Sequence, residues 1–289
     1  MQQGNARPCP TGRLMAAGAA LALIVSFSPP TLAQTFLGTD QPFGVLGATA
    51  VTCVVASAVT GDLGISPNGA ASITGYPVPP CTVSGTVHAA DGVALTAQND
   101  LVTAYNTLAS LPCTANLTGQ DLGSVGVLVP GVYCFNSSAQ LTGTLTLNAQ
   151  GNPNAAFVFK IGSTLTTAAG SAVNVINGGS ACGVSWQVGS SATLGTTTAF
   201  EGNIVALTSI TTNTGANVAG RALARNGAVT LAGNVSNACG ATFAGSGIPA
   251  LGPLGGGGLG VPTLSEWAMI LLVGLLALVG FAAMRRRAR

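Results

Sequence analysis

Between residues 191 and 236 the chain repeats one loose unit three times: SATLGTTTAFEGNI, SITTNTGANVAGRA and NGAVTLAGNVS. Each unit has an apolar residue, an interruption rich in Thr, Gly or Asn, a second apolar residue, and then a glycine. The anchor glycines Gly202, Gly220 and Gly233 are 18 and 13 residues apart. A period this short and irregular suits the coil of a β-helix better than a propeller blade or a helical repeat. Stacked coils lie ~4.8 Å apart and enclose a narrow interior that takes leucine and small β-branched side chains. Glycine and asparagine supply the left-handed corner conformations. Upstream, TGTLTLNA (142–149) alternates, and AAFVFKIG (155–162) brings Phe157, Phe159 and Ile161 to one face by period two. A β-sandwich with glycine-rich turns is the alternative. An aromatic content of 5% and the small-residue interruptions favour the solenoid.

One segment has a different period. From residue 90 to 108 apolar residues recur at Ala90, Val93, Ala94, Ala97, Leu101, Ala104, Tyr105 and Leu108, the spacing of one face of an amphipathic helix. Pro112 ends it, with Cys113 just beyond. Its face is mostly alanine, so the helix is expected to lie close against whatever it covers. The expected fold is therefore mainly β, a solenoid with one long helix alongside.

Both ends read as address labels. Residues 1–33 carry Arg7 and Arg13, the apolar run LMAAGAALALIVSF and a small-residue cleavage context ending at Ala33, the layout of a secretory signal. Residues 34–251 form the exported domain, and the glycine run in 252–260 is a flexible stem. Residues 261–289 hold an 18-residue apolar run, 267–284, with Trp267 at its start and Arg285, Arg286, Arg287 and Arg289 after it. That pattern predicts a membrane-spanning helix with its arginines on the cytoplasmic side; a buried terminal helix is the alternative.

Removing the tails reverses the charge. Residues 34–260 hold Lys160, Arg221 and Arg225 against Asp40, Asp62, Asp91, Asp100, Asp121 and Glu201, and three minus six is −3, against a formal +2 for the whole chain. A nucleic-acid partner needs a basic footprint, and none exists here. Of seven cysteines, Cys9 leaves with the signal. The six that remain, Cys53, Cys81, Cys113, Cys134, Cys182 and Cys239, allow up to three disulfides outside the cytoplasm, and fifteen pairings are open. They are scattered and the chain has one histidine, His88, so a metal site is a poor reading.

Little is left for catalysis. Asp62 and Asp121 sit in similar Asp-Leu-Gly turns, where a carboxylate usually accepts nearby backbone amides. Asp91 and Asp100 belong to the helix, Glu201 stands alone, and His88 lacks a nucleophile at a recognisable spacing. Trp186, Phe157 and Phe159 read as core. No phosphate loop and no cofactor motif appears. What remains is a surface of short hydroxyls: β-branched threonine is stiff at χ1, so a rank of outward threonines is a preordered lattice of methyls and hydroxyls.

Five ordered blocks carry a resemblance: VTGDLGISPNGAASITGYP (59–77), VSGTVHAADGVALTAQNDLVTAYNTL (83–108), DLGSVGVLVPGVYCF (121–135), LTGTLTLNAQGNPNAAFVFKIGSTLTTAAGSAVNVING (141–178) and VSWQVGSSATLGTTTAFEGNIVALTSIT (184–211). Together they are similar to the microbial ice-binding-protein-like domain, over about residues 43–239. The resemblance implies a discontinuous right-handed β-helix, triangular in section, with a long helix along one side and chain-early strands completing coils with chain-late ones. It implies adsorption to ice or ordered water through a flat face, restraint of ice growth or recrystallisation, and no catalytic site. Some members display outward T-A/G-x-T/N steps, matched here once, at Thr214-Gly215-Ala216-Asn217. Thr166, Thr193, Thr211 and Thr230 occupy comparable strands and complete the expected ice-binding set, with Ile210 and Val218 inward. The tail, with Pro262, Thr263, Leu264, Glu266 and Trp267, resembles the Ile-Pro-Thr-Leu sorting signal, Val261 standing for the usual Ile. It implies export, transient membrane anchorage, a sorting protease as partner, and a destination at the cell surface or outside. A non-ice surface or adhesion module on the same frame, with glycans as partner, is the alternative.

Overall fold

A computed structural model describes residues 35–236. Short strands wind into stacked coils, and every pairing between named strands among the described residues is parallel. Each coil contributes one segment to each of three faces. Phe157–Ile161, Leu165–Thr167 and Ala172–Ile176 make one such turn, with Gly131–Phe135, Ala139–Leu141 and Thr144–Asn148 stacked on one side of it. Val184–Val188, Ala192–Leu194 and the first half of Ala199–Ala206 stack on the other.

Long strands Ala199–Ala206 and Asn217–Ala224 run along one face and bend onto the next at Gly202 and Gly220, which are partners in the ladder. Both have positive φ, 120° and 151°, and a Cβ on Gly220 would stand 2.1 Å from the Gly202 carbonyl oxygen. Only glycine fits this corner. Gly233, which the repeat aligns with them, sits at a different corner, against the Ala216 carbonyl.

The stack does not follow chain order. Phe43–Gly47 pairs with Asn217–Ala224, Val51–Cys53 with Val229–Leu231, and Ser57–Thr60 with Asn234–Ser236. Chain-early coils therefore sit on the last chain-late coil, and Asp62–Ile65, Ile73–Thr74 and Cys81–Val83 continue beyond them.

Inside, period-two alternation delivers one apolar column per face. Tyr133, Phe159, Trp186 and Phe200 form a pile of rings with successive centroids 5.5, 4.0 and 4.9 Å apart. Trp186 is fully buried, and its indole N–H donates to the Glu201 carbonyl at 3.0 Å, so the polar atom is satisfied. The aromatics are few, and four of them are gathered in this one pile.

The helix spans Gly92–Ser110, later by two residues at each end than its apolar spacing predicts. Asp91 caps it, accepting from the Ala94 amide at 2.8 Å, while Ala90 precedes it with φ 53°. Ala94, Ala97, Leu101, Ala104 and Leu108 are buried; Val93 is 48% exposed. This face covers Leu46, Val158, Val205 and Leu223, the outward residues of one side of the solenoid, with Leu37 beside them. Gln98 donates to the carbonyls of Gly47 and Ala224 and fastens the helix to both chain-early and chain-late strands.

Two disulfides are Cys53–Cys81 and Cys113–Cys134. Cys182 is also disulfide-bonded, and Cys239 lies outside the described residues. The secretory signal, the stem and the apolar run at 267–284 lie outside them as well. Among the described residues no helix is long and apolar enough to cross a membrane.

Under the helix lies a buried charge cluster. Arg221, 2% exposed, donates to the Gln41 carbonyl from Nε and Nη2 and to Asn203 Oδ1 from Nη1. Asp40 is fully buried, and neither of its carboxyl oxygens has a hydrogen-bond partner among the described residues. Burial, reinforced by Asp100, pushes Asp40 up to about 8 despite the pull of Arg221.

The native state therefore holds a proton on Asp40 that the unfolded chain releases near pH 4, so this group makes stability fall as pH rises from about 4 to about 8. Urea unfolding at pH 5, 6.5 and 8 should show that slope, on the order of a few kcal/mol across the window, and Asp40→Asn should flatten it. Trp186→Ala, which empties the centre of the ring pile, should cost about 3–5 kcal/mol in the same assay.

Candidate functional site

Two faces of the solenoid remain uncovered by the helix, and one of them is built almost wholly of hydroxyls and methyls. Its strands are only two or three residues long, and the Thr-bearing ones share one triplet, apolar–Thr–small or apolar: Val51-Thr52-Cys53, Ile73-Thr74-Gly75, Leu165-Thr166-Thr167, Ala192-Thr193-Leu194, Ile210-Thr211-Thr212 and Val229-Thr230-Leu231. Period two sends the first and third residues inward and the threonine outward.

The register stacks those threonines directly. Thr166 pairs with Thr193, Thr193 with Thr211, Thr211 with Thr230, Thr230 with Thr52 and Thr52 with Thr74. At ~4.8 Å per rung the rank is about 24 Å long. Thr74 Oγ1 donates to Thr52 Oγ1 at 3.0 Å. Outward positions on either side are uncharged as well. Thr164, Ser191, Ser209, Ala228 and Ala50 supply backbone carbonyls to one edge of the ladder, and Ala168, Asn213, Ala232 and Val54 supply amides to the other.

Thr166, Thr193, Thr211 and Thr230 thus lie on consecutive rungs. Thr214 lies at the exposed corner after this face, where its carbonyl accepts from the Thr197 amide at 3.0 Å. Asn217 is the first residue of Asn217–Ala224 on the next face, hydrogen-bonded to Asn234 at 2.8 Å. The Thr214–Asn217 step turns the corner instead of lying on the rank. Ile210 and Val218 point inward and are buried. Sequence reasoning missed Thr52 and Thr74, although the apolar–Thr triplet marks both.

Not every threonine faces water. Thr167, Thr198 and Thr212 are buried on the inner side of the corner. The hydroxyls of Thr167 and Thr198 are 2.8 Å apart, the Gly195 amide donates to Thr167 Oγ1 at 2.8 Å, and Ser171 Oγ donates to the Leu141 carbonyl. These bonds satisfy backbone groups where the ladder bends, and they fix the edge of the threonine face.

Charge is kept off this surface. Lys160, Arg221 and Arg225 belong to the helix side, where Lys160 donates to the Leu111 carbonyl at 2.5 Å and Arg225 lies 5.4 Å over the Tyr105 ring. Asp62, His88 and Asp91 cluster at the helix start, with His88 Nδ1 2.8 Å from Asp91 Oδ2. Asp62 begins a strand, not a turn, and accepts from the Thr86 amide at 2.8 Å. Glu201, on the third face, accepts from the Val175 amide; burial raises its pKa. Asp121 bridges to Gln140 at one end of the rank. Burial acts against its ionised form, but amide bonds from Thr142 and Gly123 outweigh it and hold the carboxyl below its ordinary range. Among the described residues no three His, Cys, Asp or Glu side chains could hold a metal.

Comparison with known proteins identifies relatives of this chain. Residues 45–237 match the family model described as Ice-binding-like, and residues 260–286 match the IPTL-CTERM motif. An ice-binding protein of Nostoc sp. (strain HG1) is 57% identical over 207 residues, 71% of this chain and 75% of the relative. One from Flammulina populicola is 32% identical over 214 residues, 68% of this chain and 85% of the relative. The crystal structure of an ice binding protein from an Antarctic biological consortium superposes with a TM-score of 0.65 at 45% identity, covering 68% of this chain and 88% of that one. The corresponding domain of Shewanella frigidimarina ice-binding protein 1 gives 0.64 at 30% identity, covering 69% and 95%.

Proposed function

The chain belongs to the ice-binding-like family, and we propose that it adsorbs to ice through the rank Thr166, Thr193, Thr211, Thr230, Thr52 and Thr74. The observation that carries this reading is the register: six threonines on consecutive rungs, flanked by uncharged side chains. A crystal surface cannot adjust to its ligand, so the protein must present its groups already spaced. Ladder hydrogen bonds fix the spacing, and β-branching fixes each χ1, so little side-chain entropy is lost on docking. The methyl groups shed water as the surfaces meet, and the hydroxyls take positions in the ordered layer. An adsorbed molecule blocks addition of water beneath it, forces the front to bulge between neighbours, and so restrains growth and recrystallisation. No proton or electron moves, and the protein works as a binder, without catalysis or cofactor.

The β-helix is read as right-handed, since parallel crossovers almost always are, and as discontinuous, its chain-early coils completing a stack begun by chain-late ones. Thr214 and Asn217 flank the docking plane at its corner. Residues 1–33 direct export, 252–260 act as a stem, and 261–289 act as a sorting signal, with Pro262, Thr263, Leu264, Glu266 and Trp267 as its recognition element and 267–284 as a transient anchor. The matched motif at 260–286 supports that reading. The destination is the cell surface or the medium.

Thermal hysteresis and ice recrystallisation inhibition of the purified segment 34–260 test the function. No effect at high micromolar concentration, with the fold intact by circular dichroism, would overturn it; saturable glycan binding in its place would favour an adhesion module. Thr211→Tyr should lower activity roughly fivefold or more, because a ring standing off the plane opens gaps that forfeit contact on neighbouring rungs. Its unfolding free energy should change by under about 1 kcal/mol, as expected for an outward side chain. In the secreting cell, replacing Pro262, Thr263 and Leu264 together by alanine should leave the tail unprocessed, read by mass spectrometry of the membrane fraction.

A further inference from the structure

The threonine rank has one more rung than it has threonines. Ala139–Leu141 stacks in register below Leu165–Thr167, with Ala139 opposite Leu165, Gln140 opposite Thr166 and Leu141 opposite Thr167. Ala139 and Leu141 are buried, so the backbone presents residue 140 outward as it presents the six threonines. The outward positions on either side of it are already hydroxyls. Ser138 Oγ accepts from Thr164 Oγ1 at 2.8 Å, and Thr142 is exposed. The rung departs from the pattern at its centre alone.

Glutamine is a different object from threonine on such a plane. It is unbranched at Cβ, carries three rotatable bonds, and ends in an amide that projects beyond the height of a threonine methyl. Nothing pins it, since no hydrogen bond of the Gln140 amide is present among the described residues, and the side chain is exposed. Its backbone is held on the far side by the Leu122 amide, which donates to the Gln140 carbonyl at 2.8 Å, and the next position in line is Asp121, whose carboxyl the Thr142 and Gly123 amides hold below its ordinary range.

We propose that Gln140 is the specificity-determining residue that ends the ice-docking plane at Thr166, a mobile, projecting side chain on a rung whose backbone and flanks are otherwise complete. This inference rests on the ice-docking reading above. A threonine at this position extends the matched rank from six rungs to seven.

The test compares wild type, Gln140→Thr and Gln140→Lys in thermal hysteresis and recrystallisation inhibition at equal concentration, with unfolding midpoints measured in parallel. Gln140→Thr should raise activity by roughly the added sixth of matched rank or more at ~4.8 Å per rung, with an unchanged midpoint. Gln140→Lys, which keeps the projection and adds charge, should show no gain. A Gln140→Thr protein that is no more active than wild type while equally stable overturns the proposal, as does a gain in the lysine variant. Should Gln140→Thr lower the midpoint, Gln140→Ser, which removes the projection without β-branching, must still raise activity. A wild-type protein that is inactive with its fold intact instead overturns the ice-docking reading itself, and this proposal with it.

Discussion

Everything on the threonine face depends on one non-covalent seam. Val51–Cys53 lies against Val229–Leu231, with Thr52 opposite Thr230, and nothing in the chain order brings these strands together. The Val229 amide reaches the Ala50 carbonyl at 2.9 Å and the Val54 amide reaches the Leu231 carbonyl at 2.8 Å, so the ladder passes the seam without a change in spacing. Beneath it Val51, Val229 and Leu231 are fully buried. Parallel pairing between segments so distant carries a large loop-closure cost, and the seam is held from three sides. Phe43–Gly47 and Ser57–Thr60 pair on the other two faces, while the helix reaches across through Gln98 to Gly47 and Ala224. The Cys53–Cys81 bridge then ties the first coil beyond the seam to the second.

The helix serves the threonine face by occupying another. A solenoid this thin has outward apolar residues on one side, Leu46, Val158, Val205 and Leu223, and an alanine-rich helix approaches closely enough to bury them. That cover is also where the charges collect. Arg221 and Asp40 are desolvated under the helix and its leading segment, an arrangement that costs free energy unless every remaining donor finds a carbonyl or amide oxygen. Each nitrogen of the Arg221 guanidinium donates once, Nε and Nη2 to the Gln41 carbonyl and Nη1 to Asn203 Oδ1. Holding the charges on one side leaves the threonine face free of groups that would keep their own hydration shells.

Much of this was legible in the residues, for physical reasons. Period two in AAFVFKIG, period 3.6 in residues 90–108 and a short Thr-Gly-Asn repeat each reflect burial on one side of a regular element, and burial is what composition records best. Thr193, Thr211 and Thr230 stood in strands that the repeat made comparable, and Thr166 in a similar strand upstream of it. Thr52 and Thr74 did not, because they lie in the chain-early coils, where GATAVTCVVAS and AASITGYP break the repeat, and only pairing across the seam aligns them. Thr167, Thr198 and Thr212 stand beside outward threonines in the sequence, yet they are buried. A hydroxyl that satisfies a backbone group at a corner looks, in sequence, like one that faces water. A four-residue match likewise contains no information about where a corner falls, and at Thr214–Asn217 Gly215, with φ 74°, turns the chain inside the match.

Rigid-surface recognition also reverses the usual division between core and site. In most binding proteins a flexible loop places functional groups, and the core only supports it. Here the loops are corners, and the outward spacing is set directly by the inward column on the same strand: Leu165, Ala192, Ile210, Val229, Val51 and Ile73 behind six threonines. An inward side chain of the wrong volume would shift its rung along the stack or push it off the plane, and close packing leaves no slack to absorb the change. The spacing of the outer threonines is therefore a property of the core, set by side chains that do not reach the surface.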